Sequence, residues 1–178
     1  MFHQYGMRSI GYKNEVILPL AIQPRMSGQK IHLKGQISLG VCQDICIPHT
    51  IKFNTTLPAD QNMLGTKIKT ALRQQPKTAL AAGLRARRCS FSPAPNGLML
   101  KVTLDMPSTG TPEHVVIETS NPLIWADPPT VSRKGKILSL QTLLTHSAGQ
   151  PFALTRNSIR ITVLGSDHAV DINGCTEG

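Results

Sequence analysis

Cys42 and Cys46 stand four positions apart in the stretch GVCQDICIPHT, residues 40–50, with a proline two residues after the second cysteine. Two thiols at that spacing suit three kinds of chemistry: a structural bridge, a grip on a soft metal ion, or a redox pair that turns over. On a regular helix, residues i and i+4 hold their Cβ atoms about 5–6 Å apart, wider than the roughly 3.5–4.5 Å that a disulfide wants. If residues 43–45 instead close a hairpin, the two cysteines nearly face each other, and cross-strand neighbours begin at roughly 4.5 Å. A bond then forms with modest adjustment. Because it closes so small a loop, it restricts the unfolded chain little, which makes it a poor staple and a plausible redox group.

Redox turnover needs a reachable thiolate, a second thiol that resolves the mixed disulfide, and groups that tune acidity. His49 would favour a thiolate if close, and Asp44 would oppose one. Pro48 has no N–H and is expected to stop a strand ladder from closing over the sulfur. The metal alternative uses Cys42, Cys46 and His49 as soft ligands suited to Cu(I), whereas zinc would usually ask for a fourth ligand. Cys89 and Cys175 bracket most of the later chain. By position they read as a structural disulfide, closing a loop worth about 4–5 kcal/mol in the loop-entropy model, against the plainer reading of two free buried thiols.

The elements around the first pair are strands. KIHLKGQISLG alternates strictly, with Ile31, Leu33, Ile37 and Leu39 facing one way, and TIKFNTTLP resumes the pattern with Ile51, Phe53 and Leu57. The cysteines are thus expected at the turn between two strands. Val16, Leu18, Leu20 and Ile22 predict a further edge or bulged strand over residues 14–22, which carries Pro19. Between about Asp60 and Gln75, apolar residues at helical spacing (Met63, Leu64, Ile68, Ala71, Leu72), an N-cap Asp and Pro76 as a stop predict one connecting helix. Strand patterns then return in LMLKVTLDM, EHVVIET, KILSLQTLL, SIRITVLG and HAVDIN.

The expected fold is all-β: two immunoglobulin-like β-sandwich units joined by a short helix. The divisions are residues 1–58, 59–78 and 79–178. The first unit is expected to be incomplete, because a full immunoglobulin-like sandwich takes about 100 residues and seven strands. A chain of 178 residues with 40% hydrophobic content can bury a core. Its 13 prolines and 14 glycines suit many short strands joined by turns. No run approaches the ~20 apolar residues of a membrane span, and the N-terminus lacks a signal-peptide layout.

The formal charge is +9, with a local cluster at Arg85, Arg87 and Arg88. Nucleic-acid binding is disfavoured, because single-strand binders interleave basic residues with stacking aromatics and only Phe91 lies near the cluster. A basic solvated face is expected. His32 falls on the polar face of a strand, and His114, His146 and His168 are too scattered to read as ligands. Trp125 is expected as a core plug, the alternative being presentation to a partner. The chain carries no Gly-rich phosphate loop, no Ser-His-Asp set and no paired carboxylates placed for acid–base work.

The run YKNEVILPLAIQP…KIHLKGQISLGVCQDICIPHTIKFNTTLP resembles the second half of the N-terminal periplasmic domain of the DsbD-type protein-disulfide reductases, most of all the ScsB branch linked to copper-stress tolerance. The likeness covers roughly residues 10–58, and the later part, ending HAVDINGC, is more loosely similar to the second sandwich of that branch. The first half of the family's cysteine-bearing domain, with its cap loop, has no counterpart here, and the Cys-x3-Cys spacing is shorter than in the best-known members. The resemblance implies a protein-disulfide reductase module in the periplasm, a soluble portion of an inner-membrane protein. It would take electrons from the membrane and thioredoxin-like domains of its own full-length protein and pass them to periplasmic thioredoxin-fold proteins such as disulfide isomerases. On the family's Cys-x-Pro pattern, Cys46 matches the cysteine that forms the mixed disulfide and Cys42 the one that resolves it. No cofactor is implied beyond the redox-active disulfide. A periplasmic copper-binding module using the same thiols is the competing reading, and an interaction-only β-sandwich is the third.

Overall fold

A computed structural model describes residues 2–178 except 5, 6, 25, 27, 43, 44 and 60–64. The chain divides into two compact units, Met1–Arg73 and Gln74–Gly178. Among the described residues no helix is long and apolar enough to cross a membrane.

The first unit contains the short strands β1 (Phe2–Gln4) and β2 (Met7–Ser9), the long strands β3 (Ile31–Cys42) and β4 (Cys46–Leu57), and the helix α1 (Thr66–Arg73). β1 pairs with β2 and β3 with β4, both antiparallel. The strand expected over residues 14–22 is not formed. That segment joins no ladder, and Val16, Leu18, Leu20 and Ile22 are exposed. Asn14 turns the chain with a φ of 66° at its start, and Pro19 offers no N–H to a neighbour. The helix is shorter than its apolar spacing suggests. It ends at Arg73, before Pro76, and its stripe is not buried, Ile68 and Leu72 both being exposed. The expected N-cap Asp60 and the residues Met63 and Leu64 lie outside the described residues. The helix belongs to the first compact unit, so the division between units falls at residue 73 inside the expected 59–78 linker.

The second unit is an immunoglobulin-like sandwich. Its strands are β5 (Lys77–Thr78), β6 (Ala86–Ala94), β7 (Gly97–Asp105), β8 (His114–Thr119), β9 (Ile124–Ala126), β10 (Thr130–Lys134), β11 (Ile137–His146), β12 (Ile159–Leu164), β13 (Ala169–Asn173) and β14 (Thr176–Glu177). One sheet runs β10-β11-β7-β6-β14, with β9 also on β11, and the other runs β5-β13-β12-β8. Alternation explains the core. Leu100, Val102 and Leu104 of β7 and Leu138, Leu140 and Leu144 of β11 point inward from one sheet, and Val115, Ile117, Ile159, Ile161, Val163, Val170 and Ile172 from the other. The buried hydroxyl of Thr142, at a core position of β11, donates to the Asp127 carbonyl at 2.6 Å, which satisfies it.

Trp125 does not plug this core. It is 66% exposed, while its neighbour Ile124 is buried. β9 is only three residues long, and Ile124 takes the inward position, so the period-2 pleat turns Trp125 out.

Two interactions tie the sandwich together. Cys89 of β6 and Cys175, both buried, form a disulfide where the chain leaves β13 in the smaller sheet and enters β14 in the larger one. Elsewhere Arg133 of β10 donates from Nε and Nη2 to the two carboxylate oxygens of Glu113, the second bond 2.7 Å long, and from Nη1 to the Met106 carbonyl at 2.9 Å. The backbone N–H and hydroxyl of Thr109 add bonds to Glu113 Oε1 at 2.8 and 3.0 Å. Burial raises the Glu113 pKa, but the Arg133 and Thr109 bonds outweigh it and hold the carboxyl below its ordinary value.

Candidate active site

The site is the end of the β3–β4 hairpin. Register runs from Ile31 opposite Leu57 to Cys42 opposite Cys46, so the two cysteines are directly opposed with three residues of chain between them. Their Cα atoms are 4.1 Å apart and the sulfurs are bonded. The cross-strand placement, and not the helical one, holds. Both cysteines are exposed.

The pleat sorts the hairpin into two faces. Ile31, Leu33, Ile37, Leu39 and Val41 share one face with Ile47, His49, Ile51, Phe53 and Leu57. The other face pairs His32 with Thr56, Lys34 with Asn54, Gln36 with Lys52, Ser38 with Thr50, Gly40 with Pro48 and, last, Cys42 with Cys46. Side chains on this polar face bond across the ladder: Thr56 Oγ1 lies 2.8 Å from His32 Nδ1, and Ser38 Oγ 3.3 Å from Thr50 Oγ1. On the apolar face the Phe53 ring covers Gly35. A Cβ at Gly35 would come within 2.6 Å of the ring tip, so glycine is what lets the aromatic lie flat across the strand.

Pro48 does not end the ladder as expected. It sits in register opposite Gly40, and the pairing continues past it to the cysteines. In a two-stranded ladder each strand keeps one unpaired edge, where a missing N–H costs no bond. The disulfide's own face therefore offers only Gly40 and Pro48 as its nearest neighbours along the ladder. A Cβ at Gly40 would stand 3.9 Å from Cys42 Sγ. The absence of that carbon leaves one side of the sulfur open.

His49 is three residues from Cys46, so alternation places it on the opposite, apolar face, paired with Leu39. Among the described residues no three His, Cys, Asp or Glu side chains gather into a group that could hold a metal. Asp44, the residue expected to oppose a thiolate, lies outside the described residues. Cys89 and Cys175 are bonded to each other in the second unit and contribute nothing to this tip.

Sequence reasoning did not single out Gly40, or Val41 and Ile45 beside the pair. The signal for Val41 was present, because the alternation through Leu39 carries on to residue 41. The Arg133–Glu113 pair had no sequence signal, since its partners are twenty residues apart, one in the loop before β8 and the other on β10.

No protein-family model matches the chain, and no curated protein matches it. Among solved structures the chain is similar to the N-terminal periplasmic domain of ScsB from Proteus mirabilis, with a TM-score of 0.63 at 18% sequence identity. The likeness covers 83% of this chain and 58% of that one, so the chain spans little more than half the length of the structure it matches. At that identity the likeness is one of fold. Fold and site together define an all-β, immunoglobulin-like module with a Cys-x3-Cys disulfide at a hairpin tip. The DsbD/ScsB resemblance read from the residues is met at the level of architecture by that ScsB domain.

Proposed function

We propose that the chain is a thiol–disulfide exchange module that reduces partner proteins in the periplasm through Cys42 and Cys46. The observation that carries this reading is the exposed disulfide between directly opposed cysteines with only three residues of chain between them. It is reachable by a second protein and adds little to stability, because so small a loop removes little entropy from the unfolded chain.

The chemistry balances with sulfur alone. In the reduced module the Cys46 thiolate attacks one sulfur of a partner disulfide, forming a Cys46–partner bond and releasing the other partner sulfur as a thiolate. The Cys42 thiolate then attacks Cys46 Sγ and displaces the second partner sulfur. Two electrons and two protons have passed to the partner, now a dithiol, and the module is left as the Cys42–Cys46 disulfide, the state of the present structure. A dithiol protein must restore it. Following the family resemblance, the donor is assigned to the membrane and thioredoxin-like domains of a longer protein, and the acceptors to thioredoxin-fold proteins such as disulfide isomerases. The periplasm is consistent with both cysteine pairs being bonded, since disulfides persist in oxidising compartments.

The test is a redox titration of Cys42 and Cys46 against a dithiothreitol or glutathione series, read by peptide-mapped mass after alkylation. A reversible transition in the range of known exchangers, roughly −120 to −270 mV, is expected. A pair that stays oxidised below about −300 mV would make the bond structural and end this reading. Within the same reading, a Cys42→Ser variant should accumulate a mixed disulfide with an acceptor, and Cys46→Ser should not.

A further inference from the structure

In the second unit Arg85, Arg87 and Arg88 all line one open cleft of about 370 Å³, between the turn at residues 79–84 and the start of β6. None of the three guanidinium groups makes an ion pair or a hydrogen bond among the described residues. The nearest carboxylates along the strands do not neutralise them. Glu177 of β14 bonds Arg156 at 3.1 Å, and Asp105, in register with Ala86, forms no ion pair with any of the three. Arg87 is the least expected of them. β6 pairs it with the fully buried Leu104, and alternation puts it on the same face as Cys89, so a charge stands at a core-facing position near the end of the sheet. It is half-buried and has no counterion. Ala79 and Leu84 beside it pack against the core, while Leu80 is 89% exposed, more than any other large hydrophobic side chain among the described residues.

One wall of the cleft is fixed in place. Thr176 Oγ1 donates to the Arg87 carbonyl at 2.9 Å, and the adjacent Cys175 is bonded to Cys89 of β6. The shape is therefore set before anything binds, which lowers the ordering cost of binding. We infer that this cleft docks an acidic peptide segment of a partner protein, its carboxylates on Arg85, Arg87 and Arg88 and an aliphatic side chain between them covering Leu80 and Leu84. Charge complementarity selects that occupant. Three unpaired guanidinium groups within four residues repel one another, and each offers a planar fork of donors that matches a carboxylate. A half-buried charge at a core-facing position gains most from a counterion, because the surrounding dielectric is lower than in water. The apolar side of the cleft adds burial that a bare anion would not supply. A nucleic-acid strand meets the charge but finds no aromatic side chain in the cleft on which to stack its bases. This inference does not use the exchange reading and stands apart from Cys42 and Cys46.

The experiment measures fluorescence anisotropy of short labelled peptides with the full chain. The first peptide carries Glu and Asp on either side of Leu, the second has Gln and Asn in place of the acids, and the third keeps the acids and replaces Leu with Ser. The first should bind about tenfold tighter than the second, the size expected when a charge-assisted hydrogen bond is lost, and measurably tighter than the third. Raising the salt concentration should weaken it. Arg87→Gln, and more strongly Arg85→Gln/Arg87→Gln/Arg88→Gln, should lose the preference for the acidic peptide while the thermal transition stays in place. Leu80→Ser alters a side chain that is already exposed, so the fold is kept, and it should erase the difference between the first and third peptides. Cys42→Ser/Cys46→Ser should bind the first peptide as the unaltered protein does. Equal binding of the first two peptides, no binding of either, or a preference that survives the arginine substitutions would overturn the inference. So would capture by vesicles of phosphatidylglycerol and phosphatidylcholine without binding of the peptide, since the arginines would then serve a lipid surface.

Discussion

Glu113 and Arg133 are the residues on which a single substitution should tell most about the sandwich. The carboxylate is nearly buried and accepts from Arg133 and from both donors of Thr109. Glu113→Gln keeps the shape and removes the charge, leaving the guanidinium of Arg133 without its counterion, and loss of one partner of a buried pair costs about 3–5 kcal/mol. The pH dependence follows from the lowered pKa of Glu113. Its contribution is complete above the unfolded carboxylate value and is lost as pH falls through the lower folded value. Urea unfolding should therefore show a large gap between the natural protein and Glu113→Gln at pH 7, shrinking as the solution is acidified below that range. A gap independent of pH would mean that the pair is not what the substitution breaks. This pair illustrates what single residues do not disclose in sequence. Glu113 and Arg133 each read as ordinary surface charges, and only the packing of the loop before β8 against β10 brings them together. Trp125 failed in the opposite sense, because size and hydrophobicity suggested burial while the parity of a three-residue strand turned the ring outward.

At the scale of elements, the long alternating runs were legible and the short ones were not. β7, β8, β11, β12 and β13 follow from period-2 patterning of aliphatic residues. β5, β9 and β14 are two or three residues long and carry too few positions for a period to register. Residues 14–22 had the pattern but no partner strand, and alternation alone does not build a ladder. β14 matters beyond its length, because it pairs in parallel with β6 beside the Cys89–Cys175 bond. Cys89→Ala/Cys175→Ala should lower the stability of the sandwich by about 2–5 kcal/mol. Hydrogen exchange is expected to locate part of the loss at residues 174–178, which the bond pins to the larger sheet. An unchanged melting temperature would show that the core strands hold without the bridge.

At the scale of the whole chain, the two units differ in what holds them. Every residue of the buried core lies between Ala82 and Cys175, and among the described residues from Ser9 to Arg73 none is buried. A chain of residues 74–178 should therefore fold alone with a cooperative thermal transition, and residues 1–73 alone should not, since an isolated hairpin is at best marginally stable in water. A broad, non-cooperative melt for 74–178 would contradict this division. The all-β class and the cysteine-bearing hairpin could be read from the chain, because both are written in local alternation. The exposure of the tip could not, because it depends on which faces find a partner. The directly opposed cysteines have one more consequence. The pairs from Ile31–Leu57 to Val41–Ile47 already hold the strands in place, so opening the last one releases a covalent link without asking the backbone to rearrange. Oxidation and reduction then differ in bonding far more than in shape, and a partner must read the state of this module by touching its sulfur.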